Sequence, residues 1–167
     1  MPLNVANFGP VAADEPVYGA CRPGHLGGDV DAWAAILESA GVTDVVCLLS
    51  TGEARRWGLP DAYSDVFETH HVPIVDRNLP SEDQLYSAMD VLETTVARGD
   101  SAALHCNAGL GRTGILGAAW LVHARDLDPG TALETVADEP RRRTPTEAIR
   151  DDNATLEELR DLLGILR

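Results

Sequence analysis

The chain has 167 residues, with 27 Asp plus Glu against 13 basic residues, a formal charge of -14 at pH 7. All 13 basic residues are arginine. So acidic a surface disfavours nucleic acid as a partner, and no apolar run approaches the roughly 20 residues that span a bilayer.

Taken in chain order, "PVYGAC" (16–21) reads as a strand. "DVDAWAAILESAG" (29–41) puts Val30, Trp33, Ala34 and Leu37 on one helical face, with Gly41 as its stop. "TDVVCLLS" (43–50) is a continuous apolar run of the kind buried in a parallel sheet. "VFETHHVPIV" (66–75) is a strand broken late by Pro73. "SEDQLYSAMDVLETTVARG" (81–99) opens with Ser81 and Gln84 in capping-box spacing and carries the stripe Leu85, Met89, Leu92, Val96. "SAALHC" (101–106) is a short strand, and "TGILGAAWLVHAR" (113–125) is apolar nearly all round, as a buried central helix is. A short helix starts at Pro129 after Asp128. Thr144 and Glu147 suggest a second capping box before a last helix with the stripe Ile149, Leu156, Leu159, Leu163 and Leu166. The alternation predicts an α/β fold of three layers: a mainly parallel sheet of four to five strands, with helices on both faces.

The composition adds further expectations. At 44% hydrophobic residues, one domain over residues 1–167 buries a core of its own. Cys21, Cys47 and Cys106 show no paired spacing, and "MPLNVANFGP" lacks the layout of a signal peptide. Both point to a reducing cytoplasm, without a membrane partner. Arginine without lysine on an acidic chain fits a salt-rich cytoplasm, where a Debye length of about 3 Å at molar salt screens self-repulsion.

The chemistry centres on "HCNAGLGRTG", His105 to Gly114. Cys106 ends a strand and Arg112 opens a helix, at the carboxyl edge of a parallel sheet where such folds bind ligands. Gly109 and Gly111 permit positive φ, so backbone N–H groups of Asn107, Ala108, Gly109, Leu110 and Gly111 can converge on one anion, helped by the helix N-terminus. The planar fork of Arg112 matches two phosphate oxygens. The same positive field favours the thiolate of Cys106, the nucleophilic form. Thr113 is placed to donate its hydroxyl to the sulfur, and His105 reads as a structural residue bonded to nearby backbone.

The run His105-Cys106-x-x-Gly109-x-Gly111-Arg112-Thr113-Gly114 resembles the signature of the cysteine-dependent protein tyrosine phosphatase superfamily. The element order from Val17 to Leu166 is similar to that of the compact atypical dual-specificity phosphatases. The resemblance implies a metal-independent, cofactor-free phosphatase of phosphotyrosine, and of phosphoserine and phosphothreonine, through a cysteinyl-phosphate. It also implies an aspartate general acid on a mobile loop upstream of the cysteine. Asp76, in "VPIVDRNLPS" thirty positions before Cys106, fits that place, with Glu82 and Asp83 as rivals. Several members of the family orient the hydrolytic water with a glutamine. "RRRTPTEAIRDDN" (141–153) has none, leaving Arg150, Asp151 or Asn153.

Other features weigh less. The loop interior carries no lysine, unlike phosphoinositide-directed relatives. Arg141, Arg142 and Arg143 read as helix-end charges paired with the acidic surface, or else as a flank steering anionic substrate. His70 and His71 alternate on a strand and cannot jointly chelate a metal. Cys47 reads as core, and the three tryptophans as core or rim. Some members of the family protect the active cysteine through an internal disulfide, a resemblance that would make Cys47 or Cys21 the redox partner of Cys106. A phospho-protein binding module and a phosphatase of small molecules or nucleotides are the alternative functions.

Overall fold

In the computed structural model, residues 4–140 and 143–167 are described, save the side chains of Arg150, Asp151 and Asp152. Five strands form one sheet, β1 (Gly9–Pro10), β2 (Val17–Ala20), β3 (Val42–Cys47), β4 (Glu68–His71) and β5 (Ser101–His105), in the order β1-β2-β5-β3-β4. Only β1 runs antiparallel, to β2. The helices are α1 (Val30–Ser39), α2 (Thr51–Trp57), α3 (Glu82–Ala97), α4 (Gly111–Arg125), α5 (Pro129–Asp138) and α6 (Leu156–Gly164).

Burial on both faces explains the apolar strands. In β3 and just after it, Val46 and Leu48 enter the core with Leu85, Met89 and Leu92 of α3 and with Ile115 and Leu116 of α4. The alternate residues Val45 and Cys47 enter a second core with Trp33 and Leu37 of α1, Ala54 of α2, Tyr63 and Phe67. A two-residue period thus sends neighbouring side chains into opposite cores. Helix α4 is central: Gly111 through Val122 are all buried.

Local signals set most boundaries. Asp29 accepts from the N–H of Ala32 to start α1, and Gly41 (φ 83°) follows its end. Ser81 and Gln84 form the capping box of α3, and Asp128 caps α5 with Pro129 at its first position.

Four expectations need correction. The apolar run 43–50 does not stay strand to its end, because Ser50 caps α2 in a full capping box with Glu53, a helix absent from the sequence reading. β1 was also absent, being two residues long. β4 ends at His71, although the N–H groups of Val72 and Ile74, on either side of Pro73, still donate to Cys47 O and Leu48 O at 2.9 and 3.2 Å. Thr144 and Glu147 do not cap the last helix: Pro145–Asp152 is a 3-10 helix, and Thr155 with Glu158 caps α6. Ile149 therefore lies outside α6 and Leu156 is 39% exposed, while Leu159 and Leu163 are buried.

Candidate active site

β5 delivers Cys106 to the carboxyl edge of the sheet, and α4 starts five residues later at Gly111. The loop between them is fixed through its carbonyls. Cys106 O bonds His105 Nδ1 at 3.1 Å. Asn107 O accepts from the N–H of Arg22 at 3.0 Å. Ala108 O accepts from Asn7 Nδ2 at 3.3 Å, and Gly109 O from Arg143 Nη1 at 2.9 Å. Leu110 O accepts from the N–H groups of Thr144 and Gly114, both at 3.0 Å. In a trans peptide the N–H points opposite to the C=O. Five carbonyls turned toward the surrounding chain therefore turn the N–H groups of Asn107, Ala108, Gly109, Leu110 and Gly111 toward the inside of the loop. Such a ring of donors at a helix start suits an oxyanion.

The glycines follow from this geometry. Gly109 has φ 78°, and a Cβ there would lie 2.6 Å from Ala20 O. A Cβ on Gly111 would meet Glu147 at 3.0 Å, and one on Gly114 would meet Pro145 at 3.0 Å.

Cys106 is 3% exposed, and Thr113 Oγ1 donates to its Sγ at 3.1 Å. Arg112 is equally buried. Its Nη1 and Nη2 bond the two oxygens of Glu53 at 2.6 and 3.0 Å, and Nη1 also donates to Ile74 O at 2.9 Å. Nε of Arg112 is buried with no partner among the described residues, a donor open to an anion. Asp76 Oδ1 lies 3.4 Å from Arg112 Nη2, with the Asp76 side chain 52% exposed. Glu82 and Asp83 sit in the first turn of α3, where acids favour the helix dipole.

His105 is fully buried, and its Nε2 lies 2.7 Å from the Tyr63 hydroxyl. Cys106 O can only accept, so Nδ1 carries the proton and Tyr63 donates to Nε2. Burial lowers the His105 pKa to about 4, so the ring is neutral. Burial raises the carboxyl of Glu53, but the bonds from Arg112 and Ser50 outweigh it and hold Glu53 below its usual range. Burial also pushes the thiols of Cys21 and Cys47 up to about 11, so both stay protonated at neutral pH.

Sequence reasoning missed three supports of the loop: Glu53, Tyr63 and Arg143. The Ser50-to-Glu53 spacing carried a signal for the first. Arg143 corrects the reading of the arginine triplet. It is neither a helix-end charge nor a steering flank, being 1% exposed and bonded to Gly109 O and Gly19 O at 2.9 and 2.8 Å. Arg141 and Arg142, and the side chains of Arg150 and Asp151, lie outside what is described. Asn153 is described, and its Nδ2 donates to Arg77 O at 2.7 Å, next to Asp76. His70 bonds Asp44 and His71 bonds Leu49 O, so the two serve different partners.

A five-stranded α/β sheet with a Cys-to-Arg loop at its carboxyl edge defines the fold class of the cysteine-dependent phosphatases. A family model described as "Polymorphic toxin system, DSP-PTPase phosphatase" matches residues 13–126, and the chain belongs to that family. Cyclin-dependent kinase inhibitor 3 of Rattus norvegicus is 29% identical over 108 residues, 61% of this chain and 50% of that protein. The chain thus spans about half the length of the curated relatives it matches. Among solved structures, a mutant form of Tk-PTP is 28% identical with a TM-score of 0.68, over 92% of this chain and 91% of that one. Kinase associated phosphatase, with its catalytic-site cysteine replaced by serine, is 22% identical with a TM-score of 0.70, over 88% and 83%.

Proposed function

We propose that this chain is a protein phosphatase of the dual-specificity type, hydrolysing phosphotyrosine and also phosphoserine and phosphothreonine without metal or cofactor. The observation that carries this reading is the loop from Cys106 to Gly111, whose five carbonyls are held by the surrounding chain, together with the buried Nε of Arg112, which has no partner among the described residues.

In the first step the Cys106 thiolate attacks phosphorus in line. The S–P bond forms, the P–O bond to the side chain breaks, and Asp76 gives its proton to the leaving oxygen. The inward N–H groups and Arg112 hold the three equatorial oxygens as charge builds on them. In the second step water attacks phosphorus, its proton passes to Asp76, and the S–P bond breaks. The Thr113 hydroxyl, already bonded to the sulfur, stabilises the thiolate as it leaves. Asn153, bonded next to Asp76, is the described candidate for orienting that water.

The wider setting is part of the same proposal. Among the described residues no helix is long and apolar enough to cross a membrane. The charge of -14, with arginine as the sole basic residue type, supports a salt-rich cytoplasm and protein rather than nucleic acid as substrate. We take residues 1–167 to act as one phosphatase domain.

Release of nitrophenol from p-nitrophenyl phosphate in EDTA tests the reading. The unaltered chain is expected to turn over, Cys106→Ser to be inactive, and Asp76→Asn to lose roughly 100-fold with its basic group missing from the pH profile. A requirement for metal, or an active Cys106→Ser, refutes it.

A further inference from the structure

Beside the phosphate loop lies a second group of cations. Arg22 follows β2, and Trp57 ends α2. The guanidinium carbon of Arg22 lies 3.9 Å from the centroid of the Trp57 ring, and that of Arg56 lies 5.2 Å from it. Arg22 is held in place by its Nε bond to Asn107 Oδ1 at 2.8 Å, by its Nη1 bond to Pro23 O at 3.1 Å, and by its N–H on Asn107 O. Nη2 of Arg22 has no hydrogen bond among the described residues. Neither Arg22 nor Arg56 pairs there with a carboxylate, whereas Arg98, Arg112, Arg125 and Arg167 each do.

Two unpaired guanidinium groups over one ring are unusual on a chain of charge -14. They repel each other, and burial together with the Arg56 charge lowers the pKa of Arg22. Glu53, the acid whose charge acts on Arg22, is committed to Arg112 and to the cap of α2. Glu53 and Trp57 stand four residues apart, on one face of α2. One end of that face thus holds the arginine behind the loop, and the other holds Arg22 against Asn107, the residue next to Cys106.

We propose that Arg22 and Arg56, arrayed over Trp57, form a second anion subsite beside the phosphate loop. It takes an anionic residue of a phosphopeptide that lies close in sequence to the scissile phosphate. The proposal rests on the protein phosphatase reading and narrows its substrate class. The anion is a carboxylate or a second phosphate; both match a planar guanidinium fork, and the stacking surface keeps Arg22 ordered before substrate arrives.

The test is binding, measured by calorimetry and Trp fluorescence on the full chain carrying Cys106→Ser, in dilute salt. Three peptides share one phosphotyrosine and differ in having neutral flanks, acidic flanks, or a second phosphorylated residue. At least one anionic peptide is expected to bind on the order of tenfold tighter than the neutral one. Whichever does so identifies the anion. Added Arg56→Glu, and separately Arg22→Gln, should bring that ratio to about one, with circular dichroism reporting the fold. Equal affinities for all three peptides, or a preference that survives Arg56→Glu, overturns the subsite. Failure of the phosphatase reading appears separately, as no phosphate release by the unaltered chain from any of the three peptides.

Discussion

The carboxylate of Glu53 spans both terminal nitrogens of Arg112, at 2.6 and 3.0 Å, while its backbone and Oε1 also close the cap of α2 with Ser50. A helix start and the loop arginine therefore share one side chain. Glu53→Gln keeps the shape but leaves a buried guanidinium with only the longer, 3.4 Å contact to the half-exposed carboxylate of Asp76 as counter-charge among the described residues. We expect kcat/KM to fall about 100-fold and stability by about 3 kcal/mol, the scale of breaking a buried pair. The pH dependence follows in sign. The Glu53 carboxyl is depressed by folding, so its contribution is present above its unfolded value and is lost as pH falls through the folded one. Acid unfolding of Glu53→Gln should lack that contribution, as seen by circular dichroism from pH 6 down to pH 2.

His105 gives a second pH signature. Its pKa is lowered from 6.5 to about 4, so the unfolded chain takes up a proton that the native one refuses. The native state should lose stability as pH falls from 6.5 to 4, by about 3 kcal/mol from this group. Denaturant melts across that range should show the loss in the native sequence and a flatter profile in His105→Gln.

Arg143 positions the loop without reaching its inside. Arg143→Met removes the donor to Gly109 O and Gly19 O in a buried place. Stability should drop by about 3 kcal/mol. A merely structural role would leave the affinity for vanadate unchanged in the molecules that remain folded. The expectation here is a weakening of about tenfold or more, measured well below the melting temperature.

Gly109→Ala combines a left-handed φ of 78° with a Cβ 2.6 Å from Ala20 O. Since Ala20 O is backbone, the loop must move. Vanadate binding should fall by at least tenfold, and the melting temperature should drop as well. An unchanged vanadate affinity would refute the loop geometry.

Thr113→Val removes the donor to Cys106 Sγ without altering the shape much. The second step should slow more than the first, by about tenfold. Rapid-quench measurements should then show a burst of nitrophenol and an accumulated phosphoenzyme.

The alternating layers and the Cys-to-Arg loop were legible because each rests on local pattern: a two-residue or helical period, Ser81 with Gln84, glycines beside an arginine. What stayed hidden depends on long-range contact. β1 is too short to show a period. Arg143 looks like surface charge until Gly9, Gly19 and Gly109 bring their carbonyls to it. Thr144 and Glu147 had capping-box spacing, but Pro145 and the bond from Thr144 to Leu110 O place them against the loop instead. Glu53 was overlooked through the hydrophobicity of 43–50, which drew the strand past the Ser50 cap.

The partners of the five loop carbonyls are scattered from Asn7 to Thr144. Asn7 and Ala108 are 101 positions apart, and Arg22 and Asn107 are 85 apart. During synthesis the signature motif is made about 30 residues before Arg143 and Thr144, with the braces on Gly109 O and Leu110 O from those two residues still missing. The bracing of the loop is therefore completed only late in chain synthesis, once Arg143 and Thr144 have joined Asn7 and Arg22 around it.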